Sequence, residues 1–140
     1  MITIEHEAMS GAFTKIHVRD APANFILHEF HARDEGDAHD HPFSIDVTVL
    51  RGGYIEERFD RRGNSHTIER KAGDSFTIPH DAIHRIIGLP TGYCMTLATY
   101  GPWVQEPGFW RFDHGGAMRR QHNSSEWVRM PHRIAQEDKP

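Results

Sequence analysis

The stretch EGDAHDHPFSIDVTVLRGGY, residues 35–54, combines two different patterns. Its first half places His39 and His41 one residue apart, and its second half is an apolar, β-branched run that ends in two glycines. Side chains two positions apart on an extended strand point to the same face, so both imidazoles can reach one ion. Two histidines are too few for a metal site, so the rest of the chain has to be searched for further ligands.

The surrounding chain is a series of short β-rich runs separated by residues that favour turns. Two of the breaks, LRGGYIEE (50–57) and FDRRGNSH (59–66), are predicted as hairpin turns, and Gly52 and Gly53 are free to take positive φ in the first. About nine strands at this spacing predict an antiparallel sandwich or barrel. The predicted strands are 2–5, 13–18, 24–31, 43–50, 53–59, 65–70, 74–79, 83–88 and 93–101.

A second block, GDSFTIPHDAIH (73–84), begins nineteen residues after Gly53. Together the two blocks resemble the cupin family, whose first motif reads His-x-His, three or four residues, Glu, six residues, Gly. The second motif of that family reads Gly, five residues, Pro-x-Gly, two residues, His. The resemblance covers about residues 13–101 and implies an all-β, double-stranded β-helix (jelly-roll barrel). The matching positions are His39, His41, Asp46, Gly53, Gly73, Pro79 and His84, with Asp46 in place of Glu and Asp81 in place of the second glycine.

The resemblance implies a divalent transition metal inside the barrel mouth. Carried over by position, its ligands are His39, His41 and His84, with Asp46 as a possible fourth. Neutral imidazoles suit iron, nickel, zinc or copper, and such a site keeps positions open for substrate or O₂. Asp is one methylene shorter than Glu, so Asp46 either reaches the metal or acts through a hydrogen bond to a ligand. Iron is favoured, with zinc, nickel or manganese as alternatives.

HDHPFS and IHRI also resemble the cysteine dioxygenase branch, which reads His-Asp-His-x-x-Ser and Leu-His-Arg. That branch holds iron with three histidines, and an arginine near the position of Lys15 binds the substrate carboxylate. Its Ser-His-Tyr relay corresponds to Thr96, Ala98 and Tyr100, where only the tyrosine is present. The resemblance therefore supports a shared set of iron ligands more than a shared substrate. Lys15 and Tyr100 are the candidates to orient a substrate. The first stretch also resembles small bacterial and phage cupins, which implies no substrate.

Other histidines fall into two groups. His28 and His31 lie on opposite faces of one predicted strand, so one of them should face the interior. An inward His28 is either a hydrogen-bonded structural residue or a proton shuttle. His80 is expected at the rim, and Arg85 is expected in a salt bridge with Glu56 or Glu57. The histidines expected at the surface or in the tail are His66, His114, His122 and His132.

After the last predicted strand, Pro, Gly and polar residues dominate around Trp103, Trp110 and Trp127. We expect a barrel over residues 1–112 and an irregular C-terminal tail over 113–140 that packs on the barrel or a partner subunit through these aromatics. The last six or so residues are expected to be disordered.

Length and composition exclude several classes of protein. The 140 residues suit one domain, and the mean hydropathy of −0.64 and net charge of −4 give no sign of a membrane span or a nucleic-acid partner. The N-terminus lacks a signal-peptide layout, so the expected location is the cytoplasm. Cys94 is the single cysteine, which excludes an internal disulfide and is expected to be a buried, inert thiol.

Three functions remain open at this point. The first is an oxygenase of dioxygenase type that acts on a small polar molecule. The second is an isomerase, lyase or hydrolase in which the metal acts only as a Lewis acid. The third is a non-enzymatic protein that binds or senses a metal or small ligand, since fold does not determine function. A homodimer is expected from the resemblance.

Overall fold

A computed structural model describes residues 2–19 and 24–131, and these residues form twelve strands in antiparallel pairs. Seven of the nine predicted strands each correspond to one observed strand. None of the residues that the structure describes lies in a helix that could span a membrane. The strands are β1 (Thr3–Ala8), β2 (Phe13–Arg19), β3 (Phe25–Phe30), β4 (Ala38–His39), β5 (Ile45–Phe59), β6 (Ser65–Lys71), β7 (Ser75–Ile78), β8 (Ile83–Gly88), β9 (Cys94–Tyr100), β10 (Gly108–Asp113), β11 (Gly116–Gln121) and β12 (Val128–Arg129).

Strand β5 belongs to both halves of the barrel. Its first part pairs with β7 and β9, and β9 continues through β3 and β2 to β1. Its second part pairs with β6 and β8, and β8 continues through β4 and β10 to β11 and β12. The side chains between these two half-sheets therefore come from residues far apart in sequence.

The hairpin predicted at LRGGYIEE is wrong, because the chain passes straight through this point as one strand of 15 residues. The register on β9 shifts between Val49 and Arg51, which indicates a bulge, and Gly52 has a φ of 64°. A Cβ at Gly52 would overlap the carbonyl oxygen of Tyr93. The glycines thus let a bent strand pass close to its neighbours, and turn-forming residues serve here to bend the strand.

The second predicted hairpin, FDRRGNSH, is confirmed between β5 and β6. Gly63 has a φ of 89°, and its N–H donates to the carbonyl of Asp60. The Asp60 carboxylate accepts the backbone N–H groups of Arg62 and Asn64. Local turn chemistry was sufficient to locate this hairpin.

The segment after residue 107 adds strands to the barrel. The expected boundary at residue 112 falls inside β10, which pairs with β4 on one side and β11 on the other. Trp110 is buried, whereas Trp103 is 58% exposed, and the Trp127 ring faces the guanidinium groups of Arg111 and Arg120. The expected disorder of the last residues and the position of His132 lie outside the described residues.

Three buried clusters form the core of the described residues, and β8 contributes to two of them. The first joins the two half-sheets near Cys94, which is fully buried, and consists of Phe30, Val49, Tyr54, Ile86 and Cys94. The second lies under the C-terminal strands and consists of Ala38, Ile83, Trp110 and Ala117. Because β8 contributes Ile86 to one and Ile83 to the other, it positions His84 between the two clusters.

Candidate metal centre and adjoining cavity

Three histidines converge at one end of the barrel. His39 on β4 is directly opposite His84 on β8, and opposite residues of an antiparallel pair share a face. His41 lies two positions further along the same stretch. One ring nitrogen from each histidine lies within 4.8 Å of the others, and Nε2 of His41 is 3.4 Å from Nε2 of His84. The structure thus brings together the three histidines that the sequence motifs single out.

Asp46 is not part of this group. On β5 the neighbouring Ile45 and Val47 are buried, so strand alternation turns Asp46 outward, where it is exposed. Its carboxylate accepts a hydrogen bond from the Thr77 hydroxyl on β7. The expectation that Asp46 is a possible fourth ligand, or acts on one, is corrected: its side chain faces away from the histidines. The apolar–polar alternation of IDVTV (45–49) indicates that the Asp46 side chain points outward.

The carboxylate that does reach the site is Glu56, which sequence reasoning considered only as a partner for Arg85. Glu56 is fully buried on β5 and accepts the Nδ1–H of His84 at 2.9 Å. It also accepts hydrogen bonds from Arg58 at 2.8 Å and Arg70 at 3.1 Å. Burial alone would raise the pKa of the Glu56 carboxyl, but the His84 hydrogen bond and the charges of His84 and Arg58 lower it to about 2. Arg85 pairs instead with Glu57, at 2.8 Å.

These four residues, the Glu56 cluster (Glu56, Arg58, Arg70 and His84), determine the orientation of one imidazole. An ionised carboxylate can only accept hydrogen bonds, so Nδ1 of His84 must carry a proton. The other ring nitrogen, Nε2, faces His41 and is the atom left to bind a metal. This is the arrangement in which a carboxylate orients a metal-binding histidine.

His39 and His41 are held through the residue between them. The buried Asp40 carboxylate accepts the backbone N–H of Gly108 at 2.7 Å and the indole N–H of Trp110 at 2.9 Å. Arg119 on β11 donates two further hydrogen bonds to it, at 2.9 and 3.2 Å. A Cβ at Gly108 would lie within 3 Å of the Arg119 guanidinium, so only glycine fits there. We call these residues the Asp40 cluster (Asp40, Gly108, Trp110 and Arg119).

The backbone of His41 has its own support. Its N–H donates to the carbonyl of His80, and the Gln105 side chain donates to the carbonyls of both His41 and His80, at 2.7 and 3.1 Å. Gln105 lies in the segment between β9 and β10. The segment between β9 and β10 therefore fixes the backbone of His41 through Gln105.

Burial keeps His39 and His41 neutral. It lowers the pKa of His39 to about 4, and lowers the pKa of His41 well below its usual range. Nδ1 of His41 is buried and has no hydrogen-bond partner among the described residues. A metal requires neutral imidazoles, so the lowered pKa values of these two rings favour its binding. The three residues therefore fit a metal ion.

A cavity of about 480 Å³ opens beside the histidines. Lys15 and Tyr100, both predicted to orient a substrate, line it together with His39 and His41. Its other walls are mainly apolar and include Met9, Phe13, Pro42, Phe43, Ile45, Trp103, Pro107 and Phe109. The structure thus places both candidate substrate-orienting residues on the same cavity as the candidate metal ligands.

His28 also lines this cavity and faces inward, as expected for one of the two histidines on that strand. Its Nε2 lies 2.9 Å from the Tyr100 hydroxyl oxygen. Burial, with the charges of Lys15 and His17, lowers the pKa of His28 to about 4, and burial raises the pKa of Tyr100. The neutral imidazole and the protonated phenol therefore share one hydrogen bond, and neither group carries a charge.

This pair supplies an imidazole that the sequence of β9 lacks. The relay of the cysteine dioxygenase branch would need a histidine at Ala98, but here His28 comes from the neighbouring strand β3, directly opposite Thr96. The Thr96 hydroxyl is buried without a hydrogen-bond partner in the described structure and lines an inner pocket of about 110 Å³ with the three metal-site histidines. Only the β3–β9 register brings these groups together.

Comparison with known proteins shows the fold. No family model matches the chain, and no curated protein sequence matches it. Among solved structures, hydroxypropylphosphonic acid epoxidase from S. wedmorenis matches with a TM-score of 0.55 and 15% identity, over 70% of this chain and 55% of that one. The chain thus spans about half the length of that enzyme.

Two further structures are similar. A cupin 2 conserved barrel domain protein from Rhodopseudomonas palustris matches with a TM-score of 0.55 and 11% identity, over 76% of this chain and 75% of that one. The 7S globulin of Momordica charantia has a TM-score of 0.59 and 11% identity, over 76% of this chain and 35% of that one. At these identities the likeness shows the fold alone, which is the predicted cupin-type jelly roll.

Proposed function

We propose that the protein is a metal-dependent oxygenase in which His39, His41 and His84 hold a divalent transition metal, with iron favoured. The observation that carries this proposal is the convergence of three imidazoles, with no carboxylate of the described residues among them, beside a cavity large enough for a small molecule. With Asp46 facing away, the ligand set is of the three-histidine type, which keeps positions open for substrate and O₂.

The epoxidase neighbour supports the choice of metal. Its structures are described with Fe(II) and, in complex with substrate, with Co(II). Imidazole ligands suit iron and also zinc and nickel, so the neighbour favours iron among metals that the ligand set accepts. When bound, such a metal would supply Lewis-acid and redox chemistry.

The residues of the chain have separate tasks in this proposal. The Glu56 cluster holds His84 with its Nε2 directed at the site, and the Asp40 cluster holds the other two histidines. Lys15 offers a positive charge to an anionic group of the substrate. Tyr100 keeps its proton and is oriented by His28, so its hydroxyl is available to a substrate oxygen.

The apolar walls of the cavity exclude water from the reacting groups. Phe43 stacks on the Tyr100 ring at 4.2 Å, and Trp103 contacts Phe43 edge to face. Removal of water strengthens the interactions of Lys15 and Tyr100 with a bound substrate. The homodimer and the cytoplasmic location expected from the sequence stay predictions.

The test is elemental analysis of protein purified without added metal, followed by measurement of O₂ uptake. We expect transition metal in the wild-type protein and in Asp46→Asn, its loss in His41→Ala, and O₂ uptake when Fe(II) is present with substrate. Zinc or nickel without O₂ uptake would favour Lewis-acid chemistry. Absence of any transition metal from the wild-type protein would overturn the proposal.

A further inference from the structure

The mouth of the cavity is built from flat aromatic rings. Phe43 lies between Tyr100, on which it stacks with an interplanar angle of 23°, and Trp103, which it meets at 74° and 6.1 Å. Phe109 also lines this cavity. Trp103 is 58% exposed, although a large apolar ring at a cavity mouth is better accommodated against a ligand than against water. We call Phe43, Trp103 and Phe109 the aromatic mouth.

Lys15 is the one lysine or arginine among the described residues that line the cavity. Its register opposite His28 directs it to the same face as that histidine. Glu7, opposite it on β1, attracts its charge but lies beyond ion-pair distance, and its ammonium lies 5.5 Å from the centre of the Tyr100 ring. Burial lowers its pKa, and a nearby anion would offset the cost of burying this charge.

We infer that the cavity binds a small aromatic carboxylate, with its carboxylate at Lys15 and its ring in the aromatic mouth. Aromatic rings prefer edge-to-face and offset contacts with other rings, and Phe43 and Trp103 already present one face and one edge. The Tyr100 hydroxyl lines the same cavity, and with Nε2–H of His28 donating to its oxygen, the phenol O–H donates to the bound carboxylate. The inference rests on the proposed function for the role of the ligand as substrate, but the binding itself requires no metal.

The test uses metal-free protein and three probes: benzoate, acetate and benzamide. Benzamide keeps the ring without the charge, and acetate keeps the charge without the ring. We expect benzoate to bind at least about tenfold more tightly than either, which corresponds to about 1.4 kcal/mol for each missing contact. Dissociation constants are measured by NMR chemical-shift titration.

Two variants separate the two contacts. Lys15→Met should bring the affinity for benzoate down to that for benzamide while benzamide binding stays unchanged, which also shows that the cavity is intact. Trp103→Ala should weaken the binding of benzoate and leave the affinity for acetate unchanged. The matched controls are Lys71→Met, at an exposed lysine of β6, and Trp127→Ala, at a tryptophan outside the cavity lining; both should bind like the wild-type protein.

Equal affinity for the three probes, or a Lys15→Met variant that still prefers benzoate to benzamide, would overturn the inference. Cyclohexanecarboxylate that binds as tightly as benzoate would overturn its aromatic part. Because these titrations contain no metal, they are independent of the proposed function. If the wild-type protein carries no transition metal when purified but still binds benzoate, the oxygenase is refuted and the inference stands.

Discussion

The two sides of the candidate metal site are held in different ways. The Glu56 carboxylate hydrogen-bonds the ring of His84 directly. Arg58 and Arg70 balance the charge of that carboxylate inside the barrel. Among the described residues no carboxylate hydrogen-bonds the ring of His39 or His41. The His39 ring bonds the backbone of Asp37, and the chain around both histidines is held through Asp40, whose carboxylate bonds residues of the C-terminal strands. Glu56 thus determines which ring nitrogen of His84 carries a proton, whereas Asp40 determines the path of the backbone around His39 and His41.

This difference follows from the position of each strand. β8 is an inner strand between β5 and β4, so a side chain of β5 can reach the His84 ring within the barrel. β4 has only two residues and gains its outer partner, β10, from the C-terminal segment. The short strand that carries His39 and leads into His41 therefore depends on residues about 70 positions away, at Gly108 and Trp110.

The largest expected effect comes from Glu56→Gln. It leaves Arg58, Arg70 and the His84 Nδ1 without their carboxylate in a buried place, which should lower the free energy of unfolding by about 3–5 kcal/mol. Metal affinity should fall by about 10- to 100-fold, because His84 loses the group that orients it. Urea denaturation and Co(II) titration measure the two effects.

The matched control for this variant is Glu57→Gln. Glu57 is the next residue and pairs with Arg85 at a partly exposed site, so its loss should cost about 1 kcal/mol or less. Equal effects of the two substitutions would show that the buried cluster does not stabilise the His84 side.

Arg119→Met should have the next largest effect. Asp40 keeps the N–H donors of Gly108 and Trp110 but loses its charged partner, which should cost about 2–3 kcal/mol. Metal affinity should also fall, because the loop between His39 and His41 loosens. Arg129→Met, which breaks an exposed pair between β12 and Asp113 of β10, should leave stability and metal affinity unchanged. If Arg119→Met binds Co(II) as tightly as the wild-type protein, the Asp40 cluster does not support the metal site.

Cys94 reports on the Glu56 side, since it packs with Ile86 of the His84 strand. Burial raises the pKa of its thiol from 9.0 to about 11, so at pH 8 about one folded thiol in a thousand is ionised, against one in ten for an ordinary cysteine. Labelling by a disulfide reagent should be slow at pH 8 and should accelerate toward pH 11. Glu56→Gln should accelerate it more than Arg119→Met; the reverse order would contradict the division into two sides.

The same shift affects stability. The unfolded thiol loses its proton from about pH 9.0, before the folded thiol does, so ionisation favours the unfolded chain over the window from about pH 9 to pH 11. The contribution of Cys94 to stability is therefore complete below pH 9 and is lost as the pH rises through this window. Urea midpoints of wild type and Cys94→Ala at pH 8 and pH 10.5 should converge as the pH rises.

Asp46→Asn should have the smallest effect. The side chain is exposed and bonds only the Thr77 hydroxyl among the described residues, so stability should stay within about 0.5 kcal/mol of the wild-type value. Co(II) affinity should be unchanged. A substantial loss of metal binding would mean that Asp46 reaches the site after all and would restore it as a ligand.

The strand pattern and the three histidines could be predicted because they depend on local sequence and on motif spacing. Alternation and turn residues located seven strands and the hairpin at Gly63. The glycines at 52 and 53 were misassigned because a bulge inside a strand and a hairpin between strands use the same residues. Asp46 was placed in the site by resemblance, although its own strand alternation turned it outward.

The sequence by itself determined an all-β cupin-type barrel and three histidines able to share an ion, because spacing on extended strands decides which side chains share a face. Only the tertiary structure decided three hydrogen-bonded pairs: Glu56 with His84, Arg119 with Asp40, and His28 with Tyr100. Each of these contacts crosses between strands that are distant in sequence. Their register is set by the packing of the whole barrel, which no local pattern specifies.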